Sequence, residues 1–400
     1  MPMRIGAGHL TYCTNIHPGE TWPEIRDNLE RHLLRVRDLV APGAPFGIGL
    51  RLSAAAADTL AQEGHLAAFR AFLHANDLYV FTINGFPYGA FHRIRVKEDV
   101  YKPDWRDERR LAYTDRLATL LAALLPADMD VEGSISTVPG AFKPEIRSPI
   151  DVARMAEQML RHAAHLVRLR EKTGRTICLA LEPEPFCFIE TVEETAAFFE
   201  SHLFSSAAIE RLSDATGLSR RAAEESLHRH LGVCLDLCHA AVEFEMPHAA
   251  LARLDAAGIR IVKMQLSAGL RVARVDETIL GALRPFAEDV YLHQVVERSA
   301  AGLKRYPDLG EAFAGLGDGM GEREWRIHFH VPIFREDLGA FSTTQPFMRQ
   351  ILAAHRDKPI SAHLEVETYT WDVLPREHRG TDVVTDIARE IAWAQRELGA

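Results

Sequence analysis

Several short apolar runs in this chain carry acid or imidazole side chains at alternate positions. Residues 177–185 read Ile-Cys-Leu-Ala-Leu-Glu-Pro-Glu-Pro, and residues 232–239 read Gly-Val-Cys-Leu-Asp-Leu-Cys-His. A strand turns successive side chains to opposite faces. Cys178, Ala180 and Glu182 then share one face, with Leu179 and Leu181 on the other. Cys234, Asp236 and Cys238 likewise oppose Val233, Leu235 and Leu237. In the run from Ser361 to Trp371, His363, Glu365 and Glu367 oppose Leu364 and Val366. A buried carboxylate is costly unless it is paired or bound to a metal. Glu182, Asp236 and Glu367 are therefore candidate metal ligands. Glu367 is preferred to Glu365 because it lies nearer the carboxyl end of its run, which leaves Glu365 deeper as a proton-transfer or supporting group.

Each residue also has a plainer reading. Glu182 could cap the following helix or pair with an arginine, and Asp236 could be a satisfied core acid. His239 could be a ligand, a supporting group or a substrate contact. His328 and His330 form a His-x-His pair, a recurrent metal pattern that is weak alone. On 259–266, Ile261, Lys263 and Gln265 alternate with Val262, Met264 and Leu266. Inside a barrel Lys263 would be a buried cation with an acid partner, able to act as a base or to bind an oxygen. On a displaced strand it would be solvated. Carboxylate and imidazole donors suit Mn, Zn, Co, Fe or Mg without selecting one. Cys234 and Cys238 lack the second pair that a structural zinc site wants.

The elements that must hold these groups alternate in type. Strands are expected at 9–15, 46–52, 78–84, 131–137, 177–183, 232–237, 259–266, 326–332 and 361–367. Helices are expected at 22–40, 54–76, 107–125, 149–173, 191–203, 247–257, 342–355 and 380–398. Such alternation predicts a parallel sheet built from βα units, here a single (β/α)8 barrel over 1–400 with its chemistry at the carboxyl ends of the strands. There is one strand too many, and either 259–266 or 326–332 is the seventh. The other would be an excursion, paired with 290–296. Insertions are expected at about 85–106 (aromatic and basic), 205–230 (a helical hairpin) and 267–325. The last contains the glycine-rich Gly315–Gly321, expected to be a loop.

Composition narrows the function. The 400 residues are 47% hydrophobic and 26% charged, which is ordinary for a globular protein. A net charge of −10 disfavours nucleic acid as partner. No apolar run reaches the length of a membrane span, and the start has no apolar signal core. Five scattered cysteines fit reduced thiols, so a cytoplasmic location is expected. No Gly-x-Ser-x-Gly elbow, phosphate-binding Gly-x4-Gly-Lys-Ser/Thr loop or His-Glu-x-x-His helix is present.

Leu181-Glu-Pro183, Cys234-Leu-Asp-Leu-Cys-His239, the polar-ended run 261–267 and Val366-Glu-Thr-Tyr369 together resemble the xylose-isomerase-like TIM-barrel superfamily of isomerases, epimerases and endonuclease-IV-type enzymes. The resemblance implies metal ligands in the order Glu, Asp, His, Glu on late strands. Glu182, Asp236 and Glu367 match three of them. Gln265 stands at the His position, unless His328 or His330 substitutes. A more extensive resemblance is to the metabolite traffic protein EboE family. It is carried by Leu10-Thr-Tyr-Cys-Thr-Asn15, Asn84-Gly-Phe-Pro-Tyr-Gly89, Phe91-His92, Val100-Tyr-Lys-Pro-Asp-Trp105, Tyr291-Leu-His-Gln-Val295, His328-Phe-His-Val-Pro332 and the run from Glu365 to Pro375. This implies a role in a secondary-metabolite (ebo-type) gene cluster, in moving precursors, with no established reaction.

The expected protein is a metal-dependent isomerase or epimerase acting on a small polyhydroxylated metabolite through an enediolate, whose charge a divalent ion stabilises. Glu182 and Glu367 would bind metal and share proton transfer, with His239 polarising a substrate oxygen and Lys263 as a further catalytic group. Asp236, Gln265 and His330 complete the expected metal set. Asn15, Asn84, Phe86, His92, Trp105, His328 and Glu365 are expected at the substrate. Phe86, Tyr88 and Trp105 would form a lid or apolar wall, and His92 and Lys97 would hold an anionic group. The alternatives are a barrel that binds and hands on a metabolite without turnover, and a metal-dependent phosphodiesterase of the endonuclease IV type. A homodimer, and contacts with other proteins of the same cluster, are compatible expectations.

Overall fold

A computed structural model describes residues 4–5, 8–92, 94–316, 322–380 and 382–399. Most of the Gly315–Gly321 run lies outside the described residues. Eight parallel strands are β1 (Gly8–Tyr12), β2 (Phe46–Arg51), β3 (Leu78–Asn84), β4 (Gly133–Thr137), β5 (Ile177–Leu181), β6 (Leu231–Asp236), β7 (Arg260–Leu266) and β8 (His363–Val366). They pair in sequence order, and β8 pairs with both β7 and β1. A parallel bridge from Cys13 to Gly49 brings β1 against β2 and closes the ring. The fold is a (β/α)8 barrel.

Side-chain size dictates how the ring fills. Cys178, Ala180, Cys234 and Val262 form a narrow inner cluster, while branched aliphatics such as Leu179, Leu181 and Val233 join the large outer core under the helices. Both faces of these strands are buried, as a helix-covered parallel sheet requires. A side chain at Gly49 would collide with the Glu365 carboxylate and the Tyr12 carbonyl. That glycine therefore makes room for an acid inside the barrel.

The outer helix Pro149–Thr173 shows how local chemistry sets boundaries. Ser148 and Asp151 form a capping box and Pro149 opens the first turn. The helix stops at Gly174, whose φ of 72° only glycine adopts cheaply. The expected 54–76 helix is instead two, Ala54–Leu60 and Glu63–Ala75. The helical hairpin is present as Ser206–Thr216 and Arg220–His230, turning at Gly217. A short helix, Leu237–Val242, was not expected; it takes Cys238 off the β6 face where sequence alternation placed it.

The seventh strand is 260–266, and 326–332 lies outside the barrel. Glu324–Val331 belongs to an antiparallel sheet ordered Gly302–Tyr306, Val295–Ser299, Glu324–Val331, Ala268–Val272 and Ser342–Thr343. The chain leaves β7, builds this sheet, and returns through helix Gln345–Asp357 to β8. The predicted pairing partner near 290–296 is Val295–Ser299. A register shift beside Val233 and Cys234 alters the alternation on β7. Val262 and Lys263 consequently both reach the interior, and Ile261 packs on the outer core.

Candidate metal centre

Glu182 follows β5, Asp236 ends β6 and Glu367 follows β8, so three carboxylates meet at one mouth of the barrel. One oxygen from each lies within 4.8 Å of the others, and all three residues are buried. Asp236 Oδ1 accepts the His239 backbone N–H at 2.9 Å and the Ser267 hydroxyl at 2.7 Å, capping helix Leu237–Val242. Glu367 Oε1 accepts amide N–H groups from Asn15 at 2.6 Å and Asn84 at 3.0 Å, and its Oε2 accepts from the Gln265 amide. Residues from three parts of the ring thus fix the Glu367 carboxylate. Glu182 Oε2 and Asp236 Oδ2 are buried and have no hydrogen-bond partner.

Imidazole enters from the antiparallel sheet. His330 donates Nδ1–H to the Glu367 carbonyl at 2.7 Å, which leaves a lone pair on Nε2. That Nε2 is buried without a partner. Asp236, His239 and His330 form a second group within 4.8 Å, and Cys238, His328 and His330 a third. Orphaned buried acceptors of this kind are rare in a finished core. Here they converge, and carboxylate and imidazole donors fit a divalent cation.

The electrostatics have the same sense. Burial, then Glu367 and Asp236, push the Glu182 carboxyl well above its usual range. Burial, Asp236 and Glu365 push Glu367 up to about 8. Burial pulls the His330 imidazole down to about 4 despite Asp236. Protons suppress the mutual repulsion of the acids; a bound cation would do so while leaving them ionised. Lys263, fully buried, reaches Glu365 Oε2 at 2.5 Å and Ser136 Oγ at 3.3 Å. The alternative in which Lys263 is solvated is overturned, because its strand is in the barrel. Burial opposes its charge, but Glu365 beside it more than compensates and holds the ammonium above its ordinary range.

The structure sorts the remaining expectations. Asn15, Asn84, Phe86, Glu182, His239, His328 and Glu367 line a cavity of about 60 Å³. Gln265 turns its oxygen to the Cys234 thiol at 2.6 Å and its nitrogen to Glu367. Neither Gln265, Glu365 nor Lys263 lines the cavity. Trp105 is packed behind it with its indole N–H on Thr137 Oγ1 at 3.1 Å. Tyr88 packs on Tyr113 and also lies off the cavity. His92 donates to the Asn15 carbonyl at 2.5 Å and accepts from the Tyr291 hydroxyl at 3.0 Å, so both ring nitrogens are engaged. Lys97 is held by the Glu288 and Tyr291 carbonyls and by Asp308 at 2.7 Å. Neither His92 nor Lys97 is free to hold an anion.

Sequence reasoning missed Glu184, the second acid of Glu-Pro-Glu-Pro. It lines the cavity, and Tyr101 donates to its Oε1 at 2.7 Å. The paired Glu-Pro repeat was the available signal. Tyr291 and Tyr369 were also missed as wall residues; one lies in a loop and the other opens the single-turn helix Tyr369–Asp372, where no periodicity marks the facing side.

No protein-family profile matches this chain, and no curated protein matches it. Solved structures do resemble it. A probable 3-DHS dehydratase, AsbF, involved in petrobactin synthesis from Bacillus anthracis, is 12% identical over 96% of this chain and 97% of that one, with a TM-score of 0.44. The IolI protein with a bound zinc atom is 11% identical over 98% and 97%, at 0.45. A xylose isomerase domain protein from Alicyclobacillus acidocaldarius is 13% identical over 98% and 99%, at 0.45. The fold assignment rests on the strand order described above. Among the described residues no helix is long and apolar enough to cross a membrane.

Proposed function

We propose that this barrel is a metal-dependent isomerase or epimerase acting on a small hydroxylated metabolite. The observation that carries the reading is the buried convergence of Glu182, Asp236 and Glu367 with unpartnered oxygens on two of them and the unpartnered His330 Nε2 beside them. These four residues would hold a divalent ion, which when bound supplies positive charge where a substrate oxygen becomes anionic. Glu182 and Glu367 both line the cavity. One carboxylate accepts the proton leaving a carbon next to a carbonyl; the other returns a proton to the opposite face. Asn15, Asn84 and Gln265 keep Glu367 in one orientation, so Gln265 acts as a positioning residue. Lys263 and Glu365 lie below as a compensated charge pair, with Lys263 lowering the cost of the acids above it. His239 is placed to polarise a substrate oxygen.

Phe86, Phe91, Tyr291 and Tyr369 also line the cavity. A substrate that carries an apolar edge beside its hydroxyl oxygens fits this mixed lining better than a fully polar sugar. The engaged state of Lys97 and His92 weighs against a phosphodiesterase of the endonuclease IV type. In the reading that follows the EboE resemblance, the protein handles a secondary-metabolite precursor for an ebo-type cluster, alone or with other proteins of that cluster.

The test is proton exchange. Metal-loaded protein is incubated in deuterated solvent with a panel of small hydroxyketones and hydroxyaldehydes, with and without aromatic substituents. Carbon-bound deuterium is expected with at least one, falling about 10²–10⁴-fold in Glu182→Gln and in Glu367→Gln. Tight binding with no exchange across the panel would leave a metabolite-binding barrel in place of an enzyme.

A further inference from the structure

Glu184 lines the cavity and, among the described residues, belongs to none of the groups able to hold a metal. It is 6% exposed. One of its oxygens is committed. Oε1 accepts the Tyr101 hydroxyl at 2.7 Å and the Gln294 amide N–H at 3.2 Å. The Gln294 nitrogen is itself anchored, donating to the Pro185 carbonyl at 3.1 Å, so the carboxyl is held in one orientation. Oε2 accepts no hydrogen bond among the described residues. A carboxylate has about four acceptor sites, and here the open ones belong to a nearly buried group on a cavity wall. The cavity's own cation is spent. Lys97 donates to two backbone carbonyls and to Asp308 Oδ2 at 2.7 Å. A divalent ion on Glu182, Asp236 and Glu367 would answer two of their three negative charges and leave Glu184 unanswered.

We propose that Glu184 and the aromatic lining form a subsite for an organic ammonium group, which makes the substrate an amino-hydroxy metabolite. Five aromatic rings line the same cavity: Phe86, Phe91, Tyr101, Tyr291 and Tyr369. Phe91, Tyr291 and Tyr369 pack on one another with centroids 5.1–5.4 Å apart. Phe86 stands 6.0 Å from Tyr101, whose hydroxyl holds Glu184. Ring faces attract a cation and displace the water that would screen it. An ammonium donates to Glu184 Oε2 and cancels its charge. A neutral hydroxyl donates one hydrogen bond and leaves a buried charge uncompensated, which is costly. The ammonium subsite stands on Glu184 and its neighbours; placing the hydroxyl end at the carboxylate cluster rests on the isomerase reading.

Glycerol and 3-aminopropane-1,2-diol differ by one hydroxyl replaced with an amine, which is protonated at pH 7. Both are titrated calorimetrically into the protein as purified and after soaking in zinc. The aminodiol is expected to bind at least ~10-fold more tightly, as a charge-assisted hydrogen bond replaces a neutral one, and the preference is expected to shrink to about 2-fold or less in Glu184→Gln. A wild-type crystal grown with the aminodiol needs no variant to fold, and is expected to show the nitrogen hydrogen-bonded to Glu184 Oε2. Equal affinities, no binding of the aminodiol, a preference that survives in folded Glu184→Gln, or a nitrogen lodged elsewhere would overturn the inference. An amine preference that depends on Glu184, with no deuterium incorporated into any hydroxyketone, would sustain the subsite and sink the isomerase reading. Deuterium exchange without an amine preference would do the reverse.

Discussion

Lys263→Met is expected to lower the free energy of unfolding by about 3–5 kcal/mol, because it leaves Glu365 as an uncompensated charge in the barrel interior. Both members of the pair are fully buried. The Glu365 carboxylate packs against the Gly49 backbone at the β1–β2 seam, where any side chain would displace it. The double variant Lys263→Met, Glu365→Leu removes both charges and is expected to recover most of the loss, since well-packed apolar residues often replace a buried pair at little cost. Denaturant midpoints for wild type, both single variants and the double variant give the coupling energy. A Lys263→Met cost below about 1 kcal/mol would contradict this.

A second large effect concerns Glu390 on helix Val383–Glu397. This fully buried acid accepts the Ile333 backbone N–H at 3.1 Å and the Thr368 hydroxyl at 2.7 Å. Ile333 follows the strand that carries His330, and Thr368 follows Glu367. One carboxyl therefore ties down both chain segments that leave the carboxylate cluster. Burial raises it from 4.5 to about 8. Below the lower value it is protonated whether the chain is folded or not, and its contribution is full. Between the two values the folded chain keeps a proton that the unfolded chain has released. Stability then falls as pH rises, by about 1.4 kcal/mol per pH unit from this group, and the loss is complete above pH 8. Glu390→Gln keeps the acceptor and removes the titration. The variant should match wild type near pH 5 and exceed it increasingly toward pH 8.5. Parallel stability profiles for the two proteins would contradict this.

Much of the barrel was legible because alternation of type and face is a local property. Glu182, Asp236 and Glu367 could be read together because each ends an apolar run whose other face is aliphatic. The seventh strand was ambiguous because 259–266 and 326–332 are both apolar runs with polar alternates. Only hydrogen bonding between distant segments decides which of them joins the ring. The interior placement of Val262 with Lys263 was illegible because a one-residue register shift reverses a face without leaving a mark in composition. The roles of His92 and Lys97 were misread for a related reason. Their polar ends are taken up by backbone carbonyls of segments up to about two hundred residues away, and no spacing rule reports such partners. The approach of His328 and His330 to Asp236 from outside the barrel depends equally on how the antiparallel sheet folds back over the mouth.

The most direct test of the central claim is metal content. Wild type and Asp236→Ala would be purified without chelator and measured by elemental mass spectrometry, then measured again after soaking in Mn, Zn or Co. Asp236 belongs to the carboxylate group and to the neighbouring His239–His330 group. Stoichiometric metal in wild type that is absent from a folded Asp236→Ala is the predicted result. A wild-type protein that carries no metal, and takes up none on soaking, would contradict the account.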